Sequence, residues 1–370
     1  MKRLTVMIKP ASSLCDMRCK YCFYYDVAAS RHNASMGIMS REVASALLHN
    51  VFSQLTAGDH ITFAFQGGEP GLAGLDYFKF FTAEAKKIAP SRVRIHYAFQ
   101  TNGLILSSVS GTSPDEWCNF FRENDFLIGL SLDGDTALHN LNRLDANGKG
   151  THSRVLSAKK MLDKHRISYN ILCVLTSESA RRAKRIWDVI INENIRHVQF
   201  IPCLESLGGK PEPDATALTG AKFFQFYRTL FPLWKNEAKK GNIVHVRMFE
   251  DLAGIYFAGH AATCGISGRC SPQIVVEADG STYPCDFYVL DEYKTGNLTE
   301  NSIKEVFEAV VESEFIQEAR TQPAWCKGCA YIGWCGGGCK RMFRAVYGEN
   351  CGMRAFLDEC LHELLATIQQ

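Results

Sequence analysis

Over the first two thirds of the chain, short apolar runs alternate with stretches in which apolar positions recur every three or four residues. The runs cover residues 4–8, 61–65, 93–99, 126–132, 169–175 and 198–203, each long enough for a strand but short for a helix. The stretches near 40–56, 75–88, 114–123, 152–165 and 178–193 carry the helical period. Ser40 and Ser113 stand where N-caps belong, and Pro114 suits a first helical position, where its missing N–H is no loss. Six strands with intervening helices predict repeated βαβ units and a parallel sheet. The run Ile171-Leu172-Cys173-Val174-Leu175 is apolar throughout, as a strand covered on both faces must be. A doubly wound sheet and an open or partial β/α barrel both satisfy this pattern.

The pattern changes near 208–213, where the chain reads Gly-Gly-Lys-Pro-Glu-Pro. Beyond it, a helix is predicted over 218–239 and a strand over 243–249. After Cys264 loops dominate, and the runs 273–277 and 281–285 flank Asp279-Gly280, which predicts a hairpin with a two-residue turn. From 325 to 347 periodicity fades while cysteine and glycine take over, so metal ligation would replace a hydrophobic core there. The tail after Gly352 again reads as a helix. These changes place one domain over 1–235 and a second over 236–370.

Hydrophobic residues make up 46% of the chain and charged residues 22%, a globular composition. A net charge of +2 gives no general attraction to nucleic acid or to an anionic membrane. No apolar run is long enough to span a bilayer, and Lys9 and Pro10 cut the N-terminal run too short for a signal peptide. A cytoplasmic protein is expected. Its fifteen cysteines are then too many for a reducing compartment unless they serve metal or redox chemistry. They fall into groups at Cys15, Cys19 and Cys22; at Cys264, Cys270 and Cys285; and at Cys326, Cys329, Cys335, Cys339 and Cys351. Cys118, Cys173, Cys203 and Cys360 are isolated and expected to pack as small apolar side chains.

Cys15-x3-Cys19-x2-Cys22 follows the first strand. Three thiolates hold three irons of a [4Fe–4S] cube and leave the fourth open to a chelating molecule, whereas electron carriers use four cysteines. A zinc site would want a fourth ligand, and the nearest histidine, His32, lies ten residues past Cys22. Tyr21, Phe23, Tyr24 and Tyr25 would shield the group from water. Gln66-Gly67-Gly68-Glu69-Pro70 follows the second strand; taken alone it is an ordinary turn, though its glycines permit close approach of a ligand. Together the two motifs resemble the radical S-adenosylmethionine (SAM) superfamily. The resemblance implies a partial (β/α)6 TIM-type barrel, SAM on the fourth iron and a 5′-deoxyadenosyl radical. It also implies SAM contacts from Tyr21, Gly68, Ser131, Arg143 and Leu204.

The C-terminal group Cys326-x2-Cys329-x5-Cys335-x3-Cys339 resembles the SPASM extension of peptide-modifying radical SAM enzymes. That resemblance implies two auxiliary [4Fe–4S] clusters, three in all with the first. It assigns Cys264, Cys270, Cys285 and Cys339 to one, and Cys326, Cys329, Cys335 and Cys351 to the other. Spacing alone would group 326, 329, 335 and 339, and Cys360 competes with Cys351 as the last ligand. A cysteine-rich zinc ribbon is the alternative.

Within the SPASM group the chain resembles anaerobic sulfatase-maturating enzymes. The resemblance is carried by Ile8-Lys9-Pro10-Ala11-Ser12-Ser13, Phe63-Ala64-Phe65-Gln66-Gly67-Gly68-Glu69-Pro70, Gln100-Thr101-Asn102-Gly103, His139-Asn140-Leu141-Asn142-Arg143 and Tyr283-Pro284-Cys285-Asp286-Phe287-Tyr288. It implies oxidation of a cysteine or serine in a nascent sulfatase to Cα-formylglycine, with Asp286 as the base and a ferredoxin or flavodoxin as electron donor. Tyr24 and Gln66 flank the SAM motifs and are candidates for peptide contact. A sister SPASM enzyme making thioether or carbon–carbon crosslinks in a ribosomal peptide is the rival. Such enzymes often carry an additional N-terminal recognition domain, for which a first strand at residue 4 leaves no room. Rivals of another class are a multi-cluster electron carrier and a zinc-stabilised binding protein.

Overall fold

The inward-facing residues of the first strand leave solvent completely: Val6 and Ile8 are both 0% exposed, as they are where a layer packs over that face of the sheet. The computed structural model describes residues 2–107, 111–207, 216–318 and 323–369, so the segment 208–213 lies outside the described residues. Its strands are β1 (Arg3–Ile8), β2 (His60–Phe65), β3 (Arg94–Thr101), β4 (Phe126–Ser131), β5 (Tyr169–Leu175), β6 (His197–Pro202), β7 (His245–Val246), β8 (Ile274–Val276), β9 (Ser281–Tyr283) and β10 (Gly296–Asn297). The chain forms two units: Met1–Ser131, Arg143–Tyr169 and Pro272–Glu318 make the first, and Leu132–Asn142, Asn170–Ser271 and Ala319–Gln370 the second.

In the first unit the strand order is β10-β9-β8-β1-β2-β3-β4. β1 to β4 are parallel neighbours, β8 lies parallel to β1, and β9 and β10 continue antiparallel. Helices Arg41–Phe52, Leu75–Ile88 and Pro114–Glu123 alternate with these strands. Ser40 caps the first through the Val43 N–H, and Ser113 forms a reciprocal capping box with Glu116, Pro114 following at the first helical position. The core is aromatic: Phe65 meets Phe78 and Phe81 edge to face at 5.1 and 5.0 Å, and Phe99 meets Phe121 at 5.1 Å. Cys118, 0% exposed on the third of these helices, is buried as a small apolar side chain.

In the second unit β5, β6 and β7 run parallel, with Cys173 and Cys203 buried in the same core. Two sequence expectations need correction. The strand predicted over 243–249 is strand only at His245–Val246; Arg247–Ala258 is a helix. Met248, Phe249, Leu252 and Ala253 form a buried stripe at helical spacing, and Phe249 packs on Trp234 at 4.9 Å. The hairpin of the first unit has three loop residues, not two. The Glu277 N–H reaches the Ser281 carbonyl, the Gly280 N–H returns to the Glu277 carbonyl, and Gly280 takes φ +86°. Asp279 accepts the Ser281 N–H at 3.0 Å, which selects the longer loop with its left-handed glycine.

Helices Gly220–Lys239 and Gly352–Ile368 of the second unit cross at their starts, glycine on glycine. A Cβ on Gly220 would overlap the Asn350 carbonyl, and one on Gly352 would stand 2.9 Å from the Gly220 carbonyl carbon. The crossing fixes the residue just before it, Cys351, whose Sγ accepts the Arg354 N–H at 3.4 Å. No helix among the described residues is long and apolar enough to cross a membrane. Gly352→Ala is expected to destabilise the protein by about 2–3 kcal/mol through overpacking, read as a lowered midpoint in thermal unfolding followed by circular dichroism.

Candidate active site

The residues after β1 cannot continue the sheet and turn instead, and the turn after β2 closes over them. The Gly68 N–H donates to the Ser12 carbonyl at 2.8 Å and the Glu69 N–H to the Leu14 carbonyl at 2.7 Å. Gly67, at φ +125°, faces Ser12 and Lys9 so closely that a Cβ would stand 2.9 Å from the Ser12 oxygen. At Gly68 a Cβ would run into Leu14, 2.7 Å from its carbonyl carbon. The Gly-Gly turn thus clamps the loop that delivers Cys15.

Cys15 and Cys19 are partly buried and Cys22, at the N-cap of helix Phe23–Ala29, is exposed. Burial pushes the Cys15 thiol up to about 12, with the nearby Glu69, Asp16 and Cys19 charges acting in the same direction. A cationic metal reverses that preference and favours the thiolate. Behind Cys15, Asn102 Nδ2 donates to Asp16 Oδ1 at 2.7 Å. The wholly buried Glu69 accepts the Thr101 hydroxyl, the Asn102 N–H and the Gly71 N–H at 2.9, 2.8 and 3.1 Å. It therefore ties the end of β2 to the end of β3, directly beneath the cysteine loop.

A second set of contacts joins this loop to the hairpin. Lys9, 0% exposed, reaches Asp286 Oδ1 with its Nζ at 2.5 Å and lies 4.1 Å from the Tyr24 ring centroid. Its N–H donates to the Val276 carbonyl at 2.8 Å. The buried Tyr24 hydroxyl donates to Glu277, and burial together with that carboxylate raises its pKa well above the usual phenol value. Glu277 also holds Arg31 at 2.7 Å, both side chains fully buried, while Phe23 meets Phe287 edge to face at 4.9 Å. Asp286, immediately after Cys285, keeps a partly open carboxylate with 18% exposure.

Of the remaining candidates, Arg143 stacks over Tyr21 at 5.5 Å in the first unit, and Ser131 is buried at the end of β4. Asp133 and Leu204 belong to the second unit; Asp133 Oδ1 accepts the Val174 N–H at 2.9 Å, and Leu204 is buried just after β6. Gln66 turns its amide onto the Met7 sulfur. In the second unit Cys326, Cys329, Cys335 and Cys351 line one cavity, without Cys339. Burial raises the Cys335 thiol, with Cys351, Cys326 and Cys329 adding to the rise. Cys339 instead neighbours Cys264 and Cys270: burial pushes the Cys264 thiol up to about 11, with those two next. Cys360 lies inside helix Gly352–Ile368, 6% exposed, beside Glu359 and Glu363. Four thiols around one cavity, three of them (Cys326, Cys335 and Cys351) disfavoured as anions by burial, suit a cationic metal cluster.

Sequence reasoning missed Lys9, Arg31, Glu277 and Asn102. The signal for Lys9 was a charged residue ending an apolar strand, and Asn102 stood in a quoted stretch at the end of β3; Arg31 and Glu277 carried no local signal.

Gly68→Ala is expected to displace the Cys15 loop and lower the iron bound per chain after anaerobic reconstitution. Gly333→Ala is the control, because an added Cβ there meets nothing within 4 Å. Burial pushes the Glu69 carboxyl up to about 8 against the pull of its three donors, from an ordinary 4.5. The folded chain then keeps a proton that the unfolded chain releases between those values, so stability falls as pH rises through them. Melts from pH 5 to 8 are expected to show this fall, and Glu69→Gln to flatten it; equal slopes in both proteins would remove the assignment.

Residues 10–186 match the radical SAM superfamily, and residues 264–330 match SPASM, an iron–sulfur cluster-binding domain. The cysteine-type anaerobic sulfatase-maturating enzyme of Clostridium novyi (strain NT) is 38% identical over 341 residues, 92% of this chain and 89% of the relative. A serine-type enzyme of Klebsiella aerogenes is 30% identical over 350 residues, 94% of this chain and 82% of the relative. Native anSMEcpe with bound AdoMet and the Kp18Cys peptide matches with a TM-score of 0.89 and 34% identity, over 100% of both chains. SuiB of Streptococcus suis bound to precursor peptide SuiA shares the fold, with a TM-score of 0.62 and 16% identity over 95% of this chain and 76% of that one. The chain is therefore an enzyme of the radical SAM superfamily and belongs to its anaerobic sulfatase-maturating family.

Proposed function

We propose that this enzyme oxidises a cysteine in an extended sulfatase peptide to Cα-formylglycine, with serine as the less favoured target. The observation that carries the reading is the Asp286 carboxylate, held by buried Lys9 at 2.5 Å and still partly open. Cysteine is favoured because cysteine-type relatives are 38% identical and serine-type ones 30%. Cys15, Cys19 and Cys22 would hold the first cluster; Cys264, Cys270, Cys285 and Cys339 the second; and Cys326, Cys329, Cys335 and Cys351 the third. When bound, SAM and the three [4Fe–4S] clusters supply a 5′-deoxyadenosyl radical that abstracts hydrogen, and sites that take up electrons.

The residues of the chain do the rest. Tyr21, Gly68, Ser131, Arg143 and Leu204 would bind SAM, and the Gly-Gly clamp keeps the Cys15 loop in place. Asp286 would accept the proton released by the thiol or hydroxyl of the target. Lys9 fixes that carboxylate from behind, so its open oxygen can turn to the substrate. The region 1–235 would serve SAM and the region 236–370 the auxiliary clusters, with a ferredoxin or flavodoxin as reductant.

The test is anaerobic incubation with SAM, a reductant and peptides carrying Cys-x-Pro-x-Arg or Ser-x-Ala-x-Arg, read by mass spectrometry. Conversion to the aldehyde is expected, faster for cysteine; SAM cleavage with neither peptide converted would overturn the reading. Asp286→Asn alone also strands a buried ammonium, which costs about 3–5 kcal/mol. The Lys9→Met/Asp286→Asn pair removes both charges and is expected to recover thermal stability and SAM cleavage but no aldehyde. Aldehyde from the double variant would take the base role away from Asp286.

A further inference from the structure

The auxiliary cysteines that lie in the second unit (Cys264, Cys270 and Cys339 on one side, Cys326, Cys329, Cys335 and Cys351 on the other) do not stand around independent pockets. Tyr347, 3% exposed, lines the cavity of Cys326, Cys329, Cys335 and Cys351. The same side chain lines a second cavity, beside the Cys264 turn, together with Thr263, Gly265, Ile266 and Met342. Met353, also buried, lines both.

Contacts on both sides hold the tyrosine between them. Its hydroxyl donates to the Gly265 carbonyl, next to Cys264, at 3.3 Å. Its ring occupies the notch at Gly338, next to Cys339, where a Cβ would overlap the ring. Its carbonyl accepts the Trp325 indole N–H, next to Cys326, at 3.2 Å. One residue thus touches the chain neighbours of Cys264 and Cys339 on one side and of Cys326 on the other.

We propose that Tyr347 is a positioning residue for both auxiliary clusters, a wedge that fixes the spacing of the two sets and separates them by an apolar ring and the Met353 thioether. The proposal rests on the reading that these cysteines hold clusters. A hydroxyl bond beside Cys264 also lets the wedge tune that cluster's surroundings, a role beyond packing.

The experiment uses the full chain with Cys15, Cys19 and Cys22 all changed to Ala, reconstituted anaerobically, so that only auxiliary iron remains. The parent is expected to hold about eight irons, two cubes of four. Tyr347→Leu, which empties the Gly338 notch, is expected to lose about half of that iron or more. Tyr347→Phe keeps the ring and is expected to hold parental iron and melting temperature. Its reduced-state electron paramagnetic resonance spectrum should differ, because the bond to Gly265 is gone. Parental iron in the Leu variant, or a Phe spectrum identical to the parent's, would overturn the wedge while leaving the clusters in place. A parent without iron, or with zinc, would overturn the cluster reading and the wedge with it.

Discussion

A single buried ammonium organises the reactive side of the first unit. Lys9 closes β1 where an apolar residue would ordinarily stand, and desolvating its charge is unfavourable unless an anion meets it. Asp286 is that anion, at 2.5 Å, and the Tyr24 ring covers another face of the charge. Because β1 also leads into the cysteine loop and Asp286 follows Cys285, this pair ties the start of the chain to the hairpin 277 residues later. The neighbouring Arg31–Glu277 pair obeys the same logic, with both side chains fully buried. Neither pair is strong evidence of stability, since buried ion pairs often do little better than apolar replacements. Their effect is on specificity: each member is costly in any arrangement but this one.

Glycine does the corresponding work for the backbone. The two glycines after β2 matter here for how near the chain comes to itself. The Gly68 and Glu69 N–H groups are already given to the Ser12 and Leu14 carbonyls. Whatever else the motif meets, its first task is to hold the cysteine loop against the sheet, with the Glu69 carboxyl bracing the ends of β2 and β3 below.

The alternation of strands and helices was readable because it is set by local burial. β5 matched its apolar run from Tyr169 to Leu175, and Ser113, Pro114 and Glu116 spelled out a helix start before any tertiary contact was known. The reading failed where two periods coincided. Val244, Val246 and Met248 alternate like a strand, yet Phe249, Leu252 and Ala253 continue as a helix, and the aromatic core of the second unit decided the matter. The family was legible from cysteine spacing because ligand chemistry constrains spacing directly. The web behind it was not, since Lys9 and Asp286, or Arg31 and Glu277, are distant in sequence and meet only after the sheet has formed. Cys339 shows the same limit: its spacing pairs it with Cys335, while the fold sets it beside Cys264.

The two units differ in what their cysteines ask of the fold. The Cys15 loop is pinned by backbone hydrogen bonds to a sheet whose aromatic core needs no metal. From 325 to 347 there is little regular structure, only single turns such as Ala324–Cys326 and Ile332–Cys335 and the turn Phe343–Tyr347. Outside Ala345, Val346 and Tyr347 their apolar burial is small, so ligation has to provide what a core elsewhere provides. The protein supplies a frame for it: the glycine crossing that fixes Cys351, and Tyr347 lodged against Gly338. Loss of iron should therefore spare the sheet of the first unit and loosen the cysteine-rich segment first, because only there does the metal take the place of a hydrophobic interior.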